Sequence, residues 1–155
     1  MNIEDYILIR RIQNGDTEAF ETLVRKYYND IYNFCVRRCN GDTALAADLT
    51  QDTFLKLIEH IRQYKLTGKF INFLLTIAVN VCNNYFKKKS PDIIDMDTLS
   101  AVQSDINVSE EVLRKEDSKI IQQAIDRLPD MQKEVIILRF YHDRKLKEIA
   151  AITGV

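Results

Sequence analysis

Residues 70–88 read FINFLLTIAVNVCNNYFKK, a stretch in which apolar side chains occupy almost every face of a helix. A helix that is apolar nearly all round is usually buried at the centre of a bundle. Polar residues such as Asn72, Thr76 and Asn80 interrupt the run, which falls short of the roughly 18–20 apolar residues that a membrane span needs. The stretch therefore predicts a central buried helix, and we expect no membrane insertion.

Three further helices are predicted before this one, and local signals set their limits. Asn14–Gly15 ends the first helix, and Asp16 can cap the second. Asn40–Gly41 ends the second helix, and Asp42 can cap the third. We predict helices over about residues 4–13, 16–39, 42–63 and 70–88, with a short loop at 64–69.

The composition favours an all-α protein that is not an enzyme. Only 4 Gly and 2 Pro occur in 155 residues, too few for the many turns of an all-β fold. The 22 basic and 23 acidic residues nearly cancel, so any contact with nucleic acid must be local. The chain has no glycine-rich phosphate loop and no H-E-x-x-H or C-x-x-C motif. We therefore expect no catalytic residues, no cofactor and no metal.

The charge pattern divides the chain into two domains. Residues 91–107 contain four aspartates and no basic residue, and they lack helical periodicity. We interpret them as an acidic flexible linker between residues 1–90 and 108–155. After the linker, Ser109 can cap a helix to Leu128, Pro129 can begin another to Tyr141, and a last helix spans about 144–152. That last helix and Gly154 resemble the first half of a helix-turn-helix.

A basic, aromatic and amide-rich segment is the candidate nucleic-acid site. Amides can hydrogen-bond to base edges, an aromatic ring can stack on an unpaired base, and lysines neutralise phosphates. A solvated helix with lysines at its C-terminal end is the simpler interpretation, and it stays open at this point. The residues are Tyr64, Lys65, Lys69, Asn80, Asn83, Asn84, Lys87, Lys88 and Lys89.

Two cysteines offer a different function. Cys35 and Cys39 lie one helical turn apart, which permits a metal- or redox-sensing pair. No neighbouring His or Cys completes a set of four ligands, and a buried cysteine usually behaves as a small apolar residue. Packing is therefore the favoured interpretation.

Four motifs, in order along nearly the whole chain, resemble the sigma-70 family of bacterial transcription initiation factors, in its extracytoplasmic-function (ECF) group. The motifs are GDTEAF (15–20), ADLTQDTFL (47–55), FINFLLTIAVN (70–80) and LPDMQKEVIILR (128–139). The resemblance implies a four-helix σ2-like bundle, the acidic linker and a partial σ4-like helix-turn-helix domain. It implies a protein that binds core RNA polymerase and directs it to specific promoters, recognising and melting the −10 element.

The resemblance also assigns roles to residues. It implies that one surface docks on the coiled coil of the polymerase β′ clamp, and that loop 64–69 with nearby helix residues, Phe73 among them, receives a flipped promoter base. It implies an anti-sigma partner. Three cysteines without disulfide spacing, and the lack of a signal peptide or membrane span, predict a cytoplasmic location, or tethering to a membrane through that partner. The docking residues are Asp48, Leu49, Gln51, Asp52 and Phe54.

The sequence also departs from the family pattern. Phe73, Leu75, Val79 and Asn84 stand where the family commonly has Trp, Tyr, Arg and Asp. The resemblance stops at Gly154–Val155, before the recognition helix, so we expect impaired −35 reading. We also expect the apolar residues of the last helix to need another packing partner. The alternative function is an adaptor or decoy that occupies polymerase or an anti-sigma factor without initiating transcription.

Overall fold

The computed structural model describes residues 2–89 and 113–154, and the residues so described contain helices and no strands. The all-α prediction is confirmed. The proposed linker, residues 91–107, and the proposed cap Ser109 lie outside the described residues. The helices are α1 (Ile3–Gln13), α2 (Thr17–Arg38), α3 (Thr43–His60) with a 3₁₀ turn (Ile61–Gln63), α4 (Phe70–Lys89), α5 (Leu113–Asp126), α6 (Asp130–Ile136) continued by a π-helical turn (Ile137–Tyr141), and α7 (Leu146–Thr153).

The predicted caps form as the sequence indicates. The amide of Ala19 donates to Asp16 Oδ1 at 3.2 Å, and the amide of Leu45 donates to Asp42 Oδ1 at 3.1 Å. Each contact satisfies an amide that the first turn of a helix leaves without an intrahelical partner. Gly41 has φ +87°, a conformation that costs a glycine nothing and that lets the chain reverse between α2 and α3.

Helix α4 is the central element of the fold, as predicted. Eight of its side chains are at most 9% exposed: Phe70, Leu74, Leu75, Ile77, Ala78, Val79, Val81 and Cys82. It packs against α2, α3 and α7. Leu75 and Val79, two of the positions that depart from the family pattern, therefore belong to the core and not to an exposed face.

Helix α1 is fastened to α2 through a buried carboxylate. Asp5 is 3% exposed, and the ammonium of Lys26 lies 2.7 Å from its Oδ1 atom. The hydroxyl of Tyr27 donates a second hydrogen bond to the same side chain. A buried carboxylate needs such partners because desolvation of a lone charge is costly.

The C-terminal helices share one core with the N-terminal bundle. Ile149 and Ile152 of α7 are at most 3% exposed, and α7 packs against α4. Ile137 and Leu138 of the π-helical turn are fully buried, and this turn packs against α2. The apolar face of the last helix therefore has a partner, which is helix α4. No helix in the described ranges is long and apolar enough to cross a bilayer.

Candidate functional surfaces

A shallow apolar groove lies between α2 and α3. Its volume is about 390 Å³, and its floor includes Phe54, which is 7% exposed. Asp48 and Gln51 are exposed and stand at its edge. An apolar anchor with polar groups around it is the arrangement found at the centres of protein interfaces. The groove is lined by Phe20, Val24, Tyr28, Ala47, Asp48, Gln51, Phe54, Leu55 and Ile58.

The wall of this groove on α2 was not identified from the sequence. Phe20, Val24 and Tyr28 follow one another at intervals of four residues, which places them in a row along one side of α2. The Tyr28 ring stacks on Phe54 with centroids 6.2 Å apart and planes inclined by 10°. The interval of four residues could have indicated this row from the sequence, but the same interval is also typical of a fully buried helix face. The exposure of Tyr28, at 38%, shows that the row reaches the surface.

The five predicted docking residues divide between two faces of α3. Asp48, Gln51 and Phe54 line the groove against α2. Leu49 and Asp52 instead line a depression of about 320 Å³ between α3 and α4. Leu49 is buried there, at 3% exposure, and Asp52 shares the depression with Asn84 and Lys88 of the predicted nucleic-acid site.

Loop 64–69 is held against the start of α4 by an aromatic cluster. The Tyr64 ring lies 4.3 Å from the Phe73 ring and 5.7 Å from the Phe70 ring, between centroids. The side-chain amide of Gln13 donates to the carbonyl oxygens of Ile61 and Tyr64, at 3.0 and 3.2 Å. Burial, followed by the charge of Asp5, raises the pKa of Tyr64, so its hydroxyl stays neutral. The start of the loop is therefore held in place by packing of the Tyr64 ring and by the hydrogen bonds from Gln13.

Exposed side chains of the loop and of α4, together with the partly buried Phe73, form a second surface. Lys65 and Lys69 are exposed in the loop. Phe73, Asn80, Asn84 and Lys87 lie within about 60° of one another around α4, because their spacings are close to whole helical turns. These positions extend over about 21 Å of helix, at about 1.5 Å per residue. Lys88 is also exposed, and Lys89 is the last residue of α4.

Two residues of the predicted nucleic-acid set contact side chains outside the loop and α4, one on α2 and one on α7. Asn83 lies about 60° around α4 from Asn80, and its Oδ1 accepts a hydrogen bond from Arg38 Nη2 at 3.2 Å. Lys69 Nζ lies 4.0 Å from Glu148 Oε2 of α7. The structure thus brings most of the predicted set onto one surface and engages Asn83 and Lys69 elsewhere.

The cysteines meet across two helices. Cys35 Sγ lies 4.0 Å from Cys82 Sγ of α4, and all three thiols are free and buried. The thiols of Cys35 and Cys39, together with burial, raise the pKa of Cys82. Contact with Cys82 lowers the pKa of Cys39, with the charge of Arg38 contributing. In the described ranges no group of three or more His, Cys, Asp or Glu side chains could hold a metal ion.

Two family models match the chain, one in the N-terminal bundle from α2 onward and one in the C-terminal helices. The Sigma-70 region 2 model matches residues 23–91, and the Sigma-70, region 4 model matches residues 118–155. The first match includes the loop, α4 and every lining residue of the groove except Phe20. The second includes the π-helical turn and α7.

Curated relatives agree with both matches. The chain is 29% identical to the ECF RNA polymerase sigma factor SigW of Bacillus subtilis, over 95% of this chain and 83% of that protein. It is 29% identical to the ECF RNA polymerase sigma factor BldN of Streptomyces coelicolor, over 95% of this chain and 56% of that protein. It is 28% identical to the ECF RNA polymerase sigma-E factor of Escherichia coli K12, over 97% of this chain and 83% of that protein. Since both sigma regions are matched in order and the similarity to ECF factors runs along nearly the whole chain, the protein belongs to the ECF group of the sigma-70 family and is a transcription initiation factor, not an enzyme.

Proposed function

We propose that this sigma factor docks on the β′ clamp of core RNA polymerase through the groove between α2 and α3, and opens promoters with the loop and exposed face of α4. The observation that carries the proposal is the separation of two chemically different surfaces on one small bundle. One is an apolar groove rimmed by Asp48 and Gln51. The other is a face of lysines, amides and an aromatic ring. The proposal includes a cytoplasmic location, where polymerase acts.

The docking half of the proposal is tested by titrating the chain against purified core polymerase. Asp48→Arg/Gln51→Ala is expected to weaken binding at least about tenfold, or about 1.4 kcal/mol. Asp52→Arg is the matched control, because it reverses a charge on the same helix outside the groove. Absence of binding by the folded parent chain, or equal weakening by the control, would contradict the docking assignment.

The melting half rests on the aromatic loop and the amide face. A flipped base costs a few kcal/mol to extrude, and stacking on an aromatic ring with hydrogen bonds to amides offsets that cost. Tyr64, supported by Phe73, provides the ring, and Asn80 and Asn84 provide amides. Lys65, Lys87, Lys88 and Lys89 are proposed to neutralise the phosphate backbone.

The melting proposal is tested by the reactivity of unpaired thymines toward permanganate in the holoenzyme–promoter complex. Asn80→Ala/Asn84→Ala is expected to reduce reactivity in the −10 element while core polymerase binding stays unchanged. Asn33→Ala is the matched control, because it removes an exposed amide on α2. Unchanged reactivity in the double variant would contradict the assignment of this face.

Two further points complete the proposal. An anti-sigma factor that covers the groove would block polymerase, and competition between the two partners for the chain tests this point.

Promoter-dependent transcription in vitro distinguishes the initiation factor from the alternative role as an adaptor or decoy. A transcript that requires the chain excludes the decoy role, and polymerase binding without such a transcript supports it.

A further inference from the structure

The C-terminal helices are joined to the bundle by a buried ionic contact. Arg38 of α2 is 2% exposed, and its Nε atom lies 3.2 Å from Oε1 of Glu134 on α6, which is 3% exposed. Its Nη2 atom lies 3.2 Å from Asp130 Oδ2 and from Asn83 Oδ1. Its guanidinium also covers the Phe86 ring at 4.5 Å. A buried charge of this kind is satisfied only while α6 stays in place.

A second contact lies at the start of α4, on the proposed DNA surface. The side-chain amide of Asn72 donates to Glu148 Oε2 at 2.7 Å, and Arg144 Nη1 lies 3.3 Å from the same oxygen. Lys69 Nζ lies 4.0 Å away. The Asn72 hydrogen bond, first among several causes, lowers the pKa of Glu148, so the group is a carboxylate at neutral pH. One anionic oxygen of α7 is thus surrounded by an amide, a guanidinium and an ammonium.

We propose that Lys69 and Asn72 form a binding site for a backbone phosphate of single-stranded DNA, and that Glu148 occupies this site in a closed state of the chain. The inference rests on the proposed function, because it deepens the role of loop 64–69. Amide and ammonium donors are the groups that contact phosphate oxygens in nucleic-acid complexes. The carboxylate presents an anionic oxygen to the same donors, so DNA and α7 exclude each other.

The closed state follows from the same contacts. With α7 in place, Glu148 contacts Lys69 and Asn72, and Glu134 of α6 pairs with Arg38 of α2. Release of α7 therefore returns two side chains, those of Lys69 and Asn72, to DNA, while Asn83 keeps its contact with Arg38 of α2. The equilibrium between the two states lowers the apparent affinity of the chain for DNA by the fraction that is open.

The phosphate site is tested by fluorescence anisotropy with a short fluorescein-labelled single-stranded DNA and the full chain. Glu148→Gln keeps an acceptor for the amide of Lys145 but removes the competing charge. Asp143→Asn is the matched control, since Asp143 is 98% exposed and asparagine tolerates its positive φ. Glu148→Gln is expected to raise affinity at least about fivefold over the control, and adding Lys69→Ala is expected to abolish the gain.

Closure is tested in parallel with an introduced fluorophore. The chain contains no tryptophan, and Tyr141 lies under the Arg37 guanidinium of α2 at 3.9 Å, so Tyr141→Trp gives one emitter at the contact. Glu134→Gln is expected to shift its emission to the red and to raise DNA affinity together. Equal affinities for Glu148→Gln and Asp143→Asn, or a gain that survives Lys69→Ala, would overturn the inference. Permanganate reactivity of the −10 element with the parent chain, measured in the holoenzyme–promoter complex, fails only if the proposed role of the loop in melting is itself wrong.

Discussion

Replacing Glu134 by glutamine removes one charge from the most buried ion pair in the described part of the chain. Arg38 then keeps the Asn83 amide oxygen and the carboxylate of Asp130 as partners. The Asp130 side chain is 64% exposed, and an ion pair with an exposed partner contributes only about 0–1 kcal/mol. The substitution therefore leaves the buried Arg38 guanidinium with one neutral partner and one exposed anionic partner, which only weakly offset the cost of burying its charge.

The magnitude follows from the burial of both partners. Breaking a buried pair by removal of one partner costs about 3–5 kcal/mol. Burial raises the pKa of Glu134, which means that desolvation disfavours the charged carboxylate. Glutamine is neutral and removes that desolvation cost, so the net loss is smaller. We expect the free energy of unfolding to fall by about 2–3 kcal/mol, which corresponds to roughly a 30- to 150-fold change in the ratio of folded to unfolded chains.

The assay is urea unfolding followed by circular dichroism, with Asp130→Asn as the exposed counterpart. The Asp130 variant is expected to lose less than about 1 kcal/mol. Replacing both Arg38 and Glu134 by methionine is expected to recover most of the loss, because neither charge of this pair then remains. The reasoning is refuted if Glu134→Gln and Asp130→Asn are equally stable, or if the double methionine variant is as unstable as Glu134→Gln.

Three further predictions concern stability and are read from urea midpoints. Burial, then the charges of Arg37 and Arg144, lower the pKa of His142 to about 4, so the unfolded chain binds a proton below pH 6.5 that the folded chain does not. Stability is expected to fall by up to about 3 kcal/mol as the pH drops from 6.5 to about 4, and a flat profile relative to His142→Gln would contradict this. Leu74→Ala is expected to cost about 2–5 kcal/mol because Leu74 is fully buried, and a cost below about 1 kcal/mol would be inconsistent with that packing. Asp42→Ala is expected to cost about 1 kcal/mol through loss of the α3 cap, whereas Asp42→Asn should cost little.

The helices of the bundle could be predicted because their limits depend on neighbours in sequence. Asp16 and Asp42 each accept an amide three residues ahead, and Gly41 adopts the positive φ that ends α2. These interactions are complete within one turn of chain, so the residue types alone determine them. Only the end of the third helix was misplaced, at Gln63 instead of His60, because the chain tightens there into a 3₁₀ turn.

The surfaces could be predicted only in part, because helical spacing does not say which neighbour a face meets. Asp48 and Asp52 are both exposed on α3, yet one borders α2 and the other borders α4. Cys82 escaped notice beside Cys35 because 47 residues separate them. The sequence spacing of four residues suggested a pair of Cys35 with Cys39, whereas the structure shows Cys35 in contact with Cys82 on another helix.

Sequence alone determined that this chain is helical, where its N-terminal helices begin, and which family it resembles. Tertiary structure decided the burial of Arg38, which the sequence presents as one of two basic residues at a helix end. Its partner Glu134 lies 96 residues away, and α7 covers α4 through Ile149 and Ile152. The physical reason is that caps and periodicity are satisfied within a helix, whereas a buried charge and an apolar face are satisfied only by whichever helix packs against them.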